Sequence, residues 1–218
     1  MTSTSIKVWD LFIRFFHWTM VIAFLTSYLT EGETNLHFYS GWYILLLLSL
    51  RVIWGFVGTK YARFIDFVKP PSEVLKYARM LVFKHQGFNK KHIGHNPLGG
   101  LMVIALILSL TLTCISGVMV YTCEGKRFYD VVGQPLLQYI DEHEQHLIEK
   151  VAGNVNEEGD EAFWEETHEL LSNLTLFLIL LHIAGVILSS HLQRQNLIKS
   201  MIYGRKKSTK NDRLRDKH

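Results

Sequence analysis

The chain has 218 residues, 48% of them hydrophobic and 20% charged, with a net charge of +3 and only 4 prolines. That is material for one domain; it excludes disorder and disfavours a soluble globule, because the charged residues crowd between long stretches that nearly lack them. Two cysteines, Cys114 and Cys123, are too few for a disulfide framework.

Crossing about 30 Å of hydrocarbon takes roughly 20 helical residues, so uncharged windows of that length are candidate spans. Four occur in chain order. The first covers residues 12–29, with Arg14 near its start, and the second covers 36–57, interrupted by Arg51. The third covers 97–121 and the fourth 170–192, and no remaining window is long enough for a fifth. Asp10 and Arg14 interrupt the first apolar run and no small-residue cleavage site follows, so it is expected to stay in place and not to be a cleaved signal peptide. Between the third and fourth spans, apolar residues recur at Leu136, Leu137, Ile140, Leu147, Ile148 and Val151, the pattern of a short amphipathic helix over 136–151.

Lysine and arginine remain on the cytoplasmic side of a membrane, and here they sort cleanly. The segment 58–95 carries eight and the segment 191–218 carries nine, whereas 122–164 has three against ten acids, a sum of −7. The expected architecture is therefore all-α, a four-transmembrane-helix bundle in the inner membrane with both termini cytoplasmic. An acidic periplasmic loop (122–164) and a basic cytoplasmic tail (193–218) complete the single domain. Arg205, Lys206 and Lys207 in that tail read as a topology anchor against membrane lipid, not as a nucleic-acid site.

Eleven histidines are present, and four lie in or at the rims of spans: His17 in the first, His37 opening the second, His168 and His182 on the fourth. Fourteen residues separate His168 from His182. On an α-helix that is about 21 Å and about 40° short of four full turns, so the two share a face at two levels. With the orientation above, His37 matches His168 near the outer surface and His17 matches His182 toward the cytoplasm. Paired imidazoles from different helices at two depths are the arrangement that holds two b haems, each iron with two axial histidines. No C-x-x-C-H run exists, so any haem is held by ligands alone. A histidine buried mid-span, as His182 is, is costly without such a ligand. His85, His92 and His95 belong to the cytoplasmic segment, while His143, His146, His191 and His218 read as solvated or interfacial; His143 and His146 have i, i+3 metal-clip spacing.

Other residues suit the surroundings of two haems. Arg51 lies fourteen residues after His37, on the same face and about 21 Å deeper, where it can meet a haem propionate; the alternative is an arginine snorkelling to the cytoplasmic edge. Gly41 and Gly55 follow His37 and Arg51 by four residues each, and a missing side chain there lets a flat macrocycle approach the backbone. Packing by small residues is the competing explanation.

These residues match a known pattern. The chain resembles the bacterial cytochrome b561 and Ni,Fe-hydrogenase cytochrome b family over nearly its whole length. The likeness rests on VWDLFIRFFHW around His17, LHFYSGW around His37, RVIWGFVGTKYARF, GHNPLGG before the third span, HELL and LLH around His168 and His182, and the ending SMIYGRKK. It implies haem ligation by His17, His37, His168 and His182, agreeing with the depth argument. The acidic stretch between the third and fourth spans has no counterpart in the family pattern.

A haem with two protein ligands has no open site, so the expected role is electron transfer. The resemblance implies quinone at one end and, at the other, a periplasmic redox protein such as a c-type cytochrome or a dehydrogenase subunit. The alternative is an anchor subunit of a hydrogenase-like complex. The acidic segment 141–166 is expected to dock a positively charged partner. A quinone pocket is expected beside His95 and Asn96, with Gly99 and Gly100 leaving room for the ring; the competing role for Asn96 is an ordinary helix N-cap. A histidine-using metal or proton transporter is the remote alternative, disfavoured because no acid lies within 34–50 or 170–193.

Overall fold

The structure is a computed structural model, and it describes residues 4–31, 35–82, 94–123, 157–193 and 195–208. In chain order the elements are β1 (Thr4–Lys7), α1 (Leu11–Leu29), α2 (Asn35–Val57), α3 (Phe64–Phe67), α4 (Pro71–Val82), α5 (Pro97–Cys123), α6 (Glu157–Leu192), α7 (Leu197–Tyr203) and β2 (Arg205–Ser208). Four of them, α1, α2, α5 and α6, are long and apolar enough to cross a membrane. Leu29 (79% exposed), Phe56 (71%) and Leu170 (68%) are among the large apolar side chains left outward, which suits a lipid solvent and not water.

Two boundaries differ from the sequence expectation. The fourth helix starts at Glu157, thirteen residues before 170, so the acidic residues from Glu157 to Glu169 are helical and not loop. Acidic side chains at a helix N-terminus complement its macrodipole, so the helix extends beyond the apolar window that defines the span. The chain is also not purely helical. Thr4–Lys7 and Arg205–Ser208 pair antiparallel, with Ile6 opposite Lys206 and Lys7 opposite Arg205, joining the N-terminus to the basic tail. The helix expected over 136–151, together with His85, His92, His143, His146 and His218, lies outside the described residues. His191 is exposed.

The described chain divides into two compact units, one comprising Met1–Leu108 with Leu176–His218 and the other Ser109–Thr175. In the first, α1 packs against α2, and a small core of Val8, Trp9, Ile13 and Ala62 is covered by Ile6, Phe12, Trp54, Tyr61 and Met201. Asp10 organises this end. Its Oδ1 accepts from Ile13 N at 2.8 Å and so caps α1, while its Oδ2 accepts from Trp54 Nε1 at 3.0 Å and Thr59 Oγ1 at 2.7 Å. Burial alone would push this carboxyl up, but those hydrogen bonds and the nearby Arg51 outweigh it and hold Asp10 below its ordinary value.

α7 ends at Gly204 in the left-handed region (φ 75°), whose carbonyl accepts from Val8 N at 2.8 Å and Trp9 N at 3.2 Å. A side chain there would also place Cβ 2.6 Å from the Trp9 carbonyl oxygen, so only glycine closes this junction between tail and N-terminal strand.

Candidate functional site

The helix starts decide where the titratable groups fall. Pro97 occupies the first position of α5, and Asn96 caps it, its Oδ1 accepting from Gly99 N at 2.6 Å. The rest of the Asn96 amide is engaged too, since Nδ2 donates to Ser189 Oγ at 3.4 Å and the side chain is hydrogen-bonded to the buried Tyr77. The room expected at the two glycines is filled: a Cβ at Gly99 would lie 2.9 Å from Asn96 Oδ1, and one at Gly100 would strike the Phe67 carbonyl. Gly100 serves close packing of α5 against α3, and Gly99 leaves room for the Asn96 cap.

His95, immediately before that cap, is enclosed by aromatic rings. Its ring centroid lies 4.7 Å from that of Trp9 and 4.7 Å from that of Phe67, and its Nδ1 is buried without a hydrogen-bond partner. Burial, reinforced by the charges of Lys206 and Arg51 and by His182, pulls His95 down to about 3, so it is neutral at physiological pH. Lys206, delivered by β2, donates to the Gly94 carbonyl at 3.0 Å and lies 5.5 Å over the Trp9 ring. Burial pulls this lysine down to about 8.

Arg51 does not snorkel. It is 3% exposed, donates from Nη2 to the Ala62 carbonyl at 3.2 Å, and lies 5.3 Å from the Phe64 and 5.9 Å from the Phe67 ring centroids. Its Nη1 is buried without a partner. The open face expected at Gly55 is taken by the Phe64 ring, which a Cβ would overlap, so Gly55 is a packing glycine. At Gly41 a Cβ would meet nothing within 4 Å, and the same holds at Gly185 on α6, three residues after His182.

The four span histidines fall into two kinds. His17 on α1 lies within electrostatic reach of His182 on α6, packs edge-on against Trp18 at 5.1 Å, and has its Nδ1 buried without a partner. His37 and His168, by contrast, are anchored through Nδ1. The Ser27 carbonyl lies 2.8 Å from Nδ1 of His37, with Ser27 Oγ at 3.4 Å. The Thr113 carbonyl and Ser116 Oγ each lie 3.0 Å from Nδ1 of His168. A carbonyl only accepts, so in both histidines Nδ1 carries the proton and Nε2 carries the lone pair, the form that ligates a metal. Gly117 makes the close approach at His168 feasible, since a Cβ there would lie 2.9 Å from the ring Cε1.

Those contacts put the fit of a b haem on physical grounds. Part-buried imidazoles, two of them with Nε2 as the basic nitrogen, a buried guanidinium N–H able to meet a carboxylate, and helix positions with open space at Gly41 and Gly185 are each of a kind that would suit a b haem.

Several contributing residues went unnoticed in the sequence. In the sequence Asp10 is visible only as an interruption of an apolar run. Around His168, Ser109 Oγ and Thr175 Oγ1 lie 2.5 Å apart, and Thr113 Oγ1 lies 3.1 Å from Thr175 Oγ1. Thr175 is fully buried and Ser116 is 1% exposed. The signal was present: Ser109, Thr113 and Ser116 stand at i, i+4 and i+7 on a largely apolar helix, which lines three hydroxyls along one face.

Comparison with known proteins follows the same direction. The family described as prokaryotic cytochrome b561 matches residues 8–204. A probable Ni/Fe-hydrogenase B-type cytochrome subunit of Rhizobium leguminosarum bv. viciae is 25% identical over 233 residues, covering 92% of this chain and 88% of that protein. The protein of the same description from Bradyrhizobium diazoefficiens is 24% identical over 227 residues, covering 92% and 85%. No solved structure gives a significant match.

Proposed function

Since the chain belongs to the prokaryotic cytochrome b561 family over residues 8–204, a multi-pass b-type cytochrome of the bacterial inner membrane working in electron transfer, we propose that it binds two haems and passes electrons between a periplasmic redox partner and the quinone pool. His17 and His182 hold one haem. For the second, helix arithmetic supports His37 and His168. Held by two imidazoles, a b haem would supply one-electron exchange and leave no site for oxygen.

The protein's own part is to hold and tune. The observation that carries the reading is the Nδ1 engagement of His37 and His168 with backbone carbonyls at 2.8 and 3.0 Å, which orients each ring and presents the basic nitrogen. Arg51, buried with Nη1 unpartnered, is the group proposed to meet a propionate carboxylate. Gly41 leaves space for the macrocycle edge. Water is excluded by the apolar spans, so no side reaction of the cofactor with solvent is invited.

The lysine and arginine count supports a cytoplasmic position for both termini. A quinone is proposed at the rim beside His95 and Asn96. There Asn96 Nδ2 donates to Ser189 Oγ at 3.4 Å, and that donor is the one a quinone carbonyl would take over. The two relatives, both described as a probable Ni/Fe-hydrogenase B-type cytochrome subunit, support a hydrogenase-like complex as the partner, with a c-type cytochrome as the alternative. Asp160, Glu165 and Glu166, exposed at the start of α6, supply an acidic face for a positively charged partner.

The deciding experiment is a reduced-minus-oxidised spectrum of the purified protein with a pyridine haemochrome count. Two non-covalent b haems per chain are expected, and a colourless protein ends the proposal. For Asn96, quinone reduction slowed in a fully haem-loaded Asn96→Ser protein is expected, because serine retains the cap; normal quinone kinetics would leave Asn96 with the cap alone.

A further inference from the structure

The anchoring of the four span histidines is unequal, and the inequality bears on redox potential. His168 Nδ1–H faces two acceptors at once, the Thr113 carbonyl and Ser116 Oγ, both at 3.0 Å. The Ser116 hydroxyl itself donates to the Thr113 carbonyl at 2.9 Å, so its lone pair is turned toward the imidazole. All of this is dry: Ser116 is 1% exposed and Thr175, which braces Thr113 through its hydroxyl at 3.1 Å, is fully buried. In a low-dielectric span such hydrogen bonds are strong.

Drawing Nδ1–H toward an acceptor gives the imidazole partial imidazolate character and makes Nε2 a stronger donor. A stronger donor stabilises the ferric iron more than the ferrous, which lowers the reduction potential. Around His17 both influences reverse. Its Nδ1 is buried without a hydrogen-bond partner, and Arg51, the group proposed above to meet a propionate, would bring a buried positive charge to a haem there. Buried cations stabilise the ferrous state and raise the potential.

We propose that Ser116, acting with the Thr113 carbonyl, is a positioning residue that makes the haem ligated by His168 the lower in potential, below the haem ligated by His17. Transfer from the His168 haem to the His17 haem is then the downhill direction. One electron moves, the first iron is oxidised and the second reduced, and no bond or proton changes place. This inference rests on the haem ligation proposed above and adds to it an order and a cause.

The test is an equilibrium redox titration of the purified full-length protein, with haem content measured on the same sample. Ser116→Ala is expected to keep both haems and to raise the lower midpoint by a factor approaching ten in its equilibrium constant, about 59 mV for one electron. Arg51→Gln is expected to lower the upper midpoint. His168→Ala should remove the lower step. Should the alanine variant lose haem, Ser116→Cys keeps the size of the side chain with a weaker acceptor, and a smaller rise in the same step is expected. An unmoved or lowered midpoint in a haem-replete Ser116 variant overturns the role of Ser116 and leaves the ligation reading standing. Loss of the upper step in His168→Ala overturns the order. Full haem content in His168→Ala overturns the ligation itself.

Discussion

The region around His168 and the region around His17 satisfy buried polar groups in opposite ways. Between α5 and α6, within Ser109–Thr175, the helices carry their own hydroxyls, and Ser109, Thr113, Ser116, Thr175 and His168 bond to one another or to backbone carbonyls. In the other unit, Arg14 Nε, His17 Nδ1, Arg51 Nη1, His95 Nδ1 and Gln193 Oε1 are all buried without a hydrogen-bond partner. A buried donor left unpaired costs about 1–3 kcal/mol, and more when charged. The hydroxyls of the first region satisfy one another within the protein, whereas among the second region's buried atoms Arg14 Nε and Arg51 Nη1 are donors of the kind that the proposed haem carboxylates would meet.

The largest effect should come from the ligands themselves. On the proposed ligation, His168→Ala and His17→Ala are each expected to reduce the haem-to-protein ratio by about one per chain, because a single imidazole would be left to hold the macrocycle. The comparison breaks if both substitutions remove the same haem, which sequential spectra of the two variants would reveal.

Next comes a contrast between two glycines. Gly117→Val puts a branched side chain where even Cβ would be 2.9 Å from His168 Cε1, and loss of the haem bound there is expected. Gly55→Val instead displaces the Phe64 ring that covers Arg51, with a cost of about 1–3 kcal/mol in stability and retention of the His168 haem. Haem content and thermal unfolding in detergent separate the two outcomes.

Asp10→Ala tests the first unit alone. It removes the α1 cap and the bonds from Trp54 and Thr59, and a loss of about 2 kcal/mol is expected, with the haem of His168 spectrally unchanged. Asp10→Asn should recover part of the loss, since asparagine caps nearly as well. An unfolding curve for Asp10→Ala superimposable on the parent would show that the junction is held by apolar packing.

The smallest effect is one of pH. His95 faces Lys206, Arg51 and His182, and its value of about 3 lies below the ordinary 6.5. Above pH 6.5 the ring is neutral folded or unfolded, and its full contribution to stability is present. As pH falls below 6.5 the unfolded chain takes up a proton that the folded chain refuses. Stability therefore falls by up to about 1.4 kcal/mol per pH unit until the folded value near 3 is reached. Unfolding measured at pH 7 and pH 5 should show this slope in the parent and a flatter one in His95→Gln. Equal slopes would place the acid sensitivity elsewhere.

Much of this was legible in the chain itself, for a physical reason. A span must satisfy every backbone group internally and present about 20 apolar residues, so α1, α2, α5 and α6 are visible as uncharged windows. The dispersed histidines stand out within those windows because ionisable groups are costly there, and the N-cap role of Asn96 follows from its place before Pro97. Contacts made far along the chain carried no such signal. Asp10 looks like a stray charge until Trp54 and Thr59 close on it, and Gly55 looks like an open helix face until Phe64 fills it. The strand pairing of Ile6 with Lys206 likewise joins residues two hundred positions apart, and four-residue strands have too little periodicity to declare themselves.

Sequence by itself therefore determined the solvent, the number of candidate spans and the identity of the four histidines, since hydropathy and helical period act locally and survive without neighbours. Tertiary structure alone decided how those histidines differ. Which ring nitrogen carries the proton depends on whether a carbonyl from another helix comes within about 3 Å, as Thr113 does for His168 and Ser27 does for His37. No local pattern encodes that distance; it is set by helix packing, and with it the character of each imidazole as a ligand.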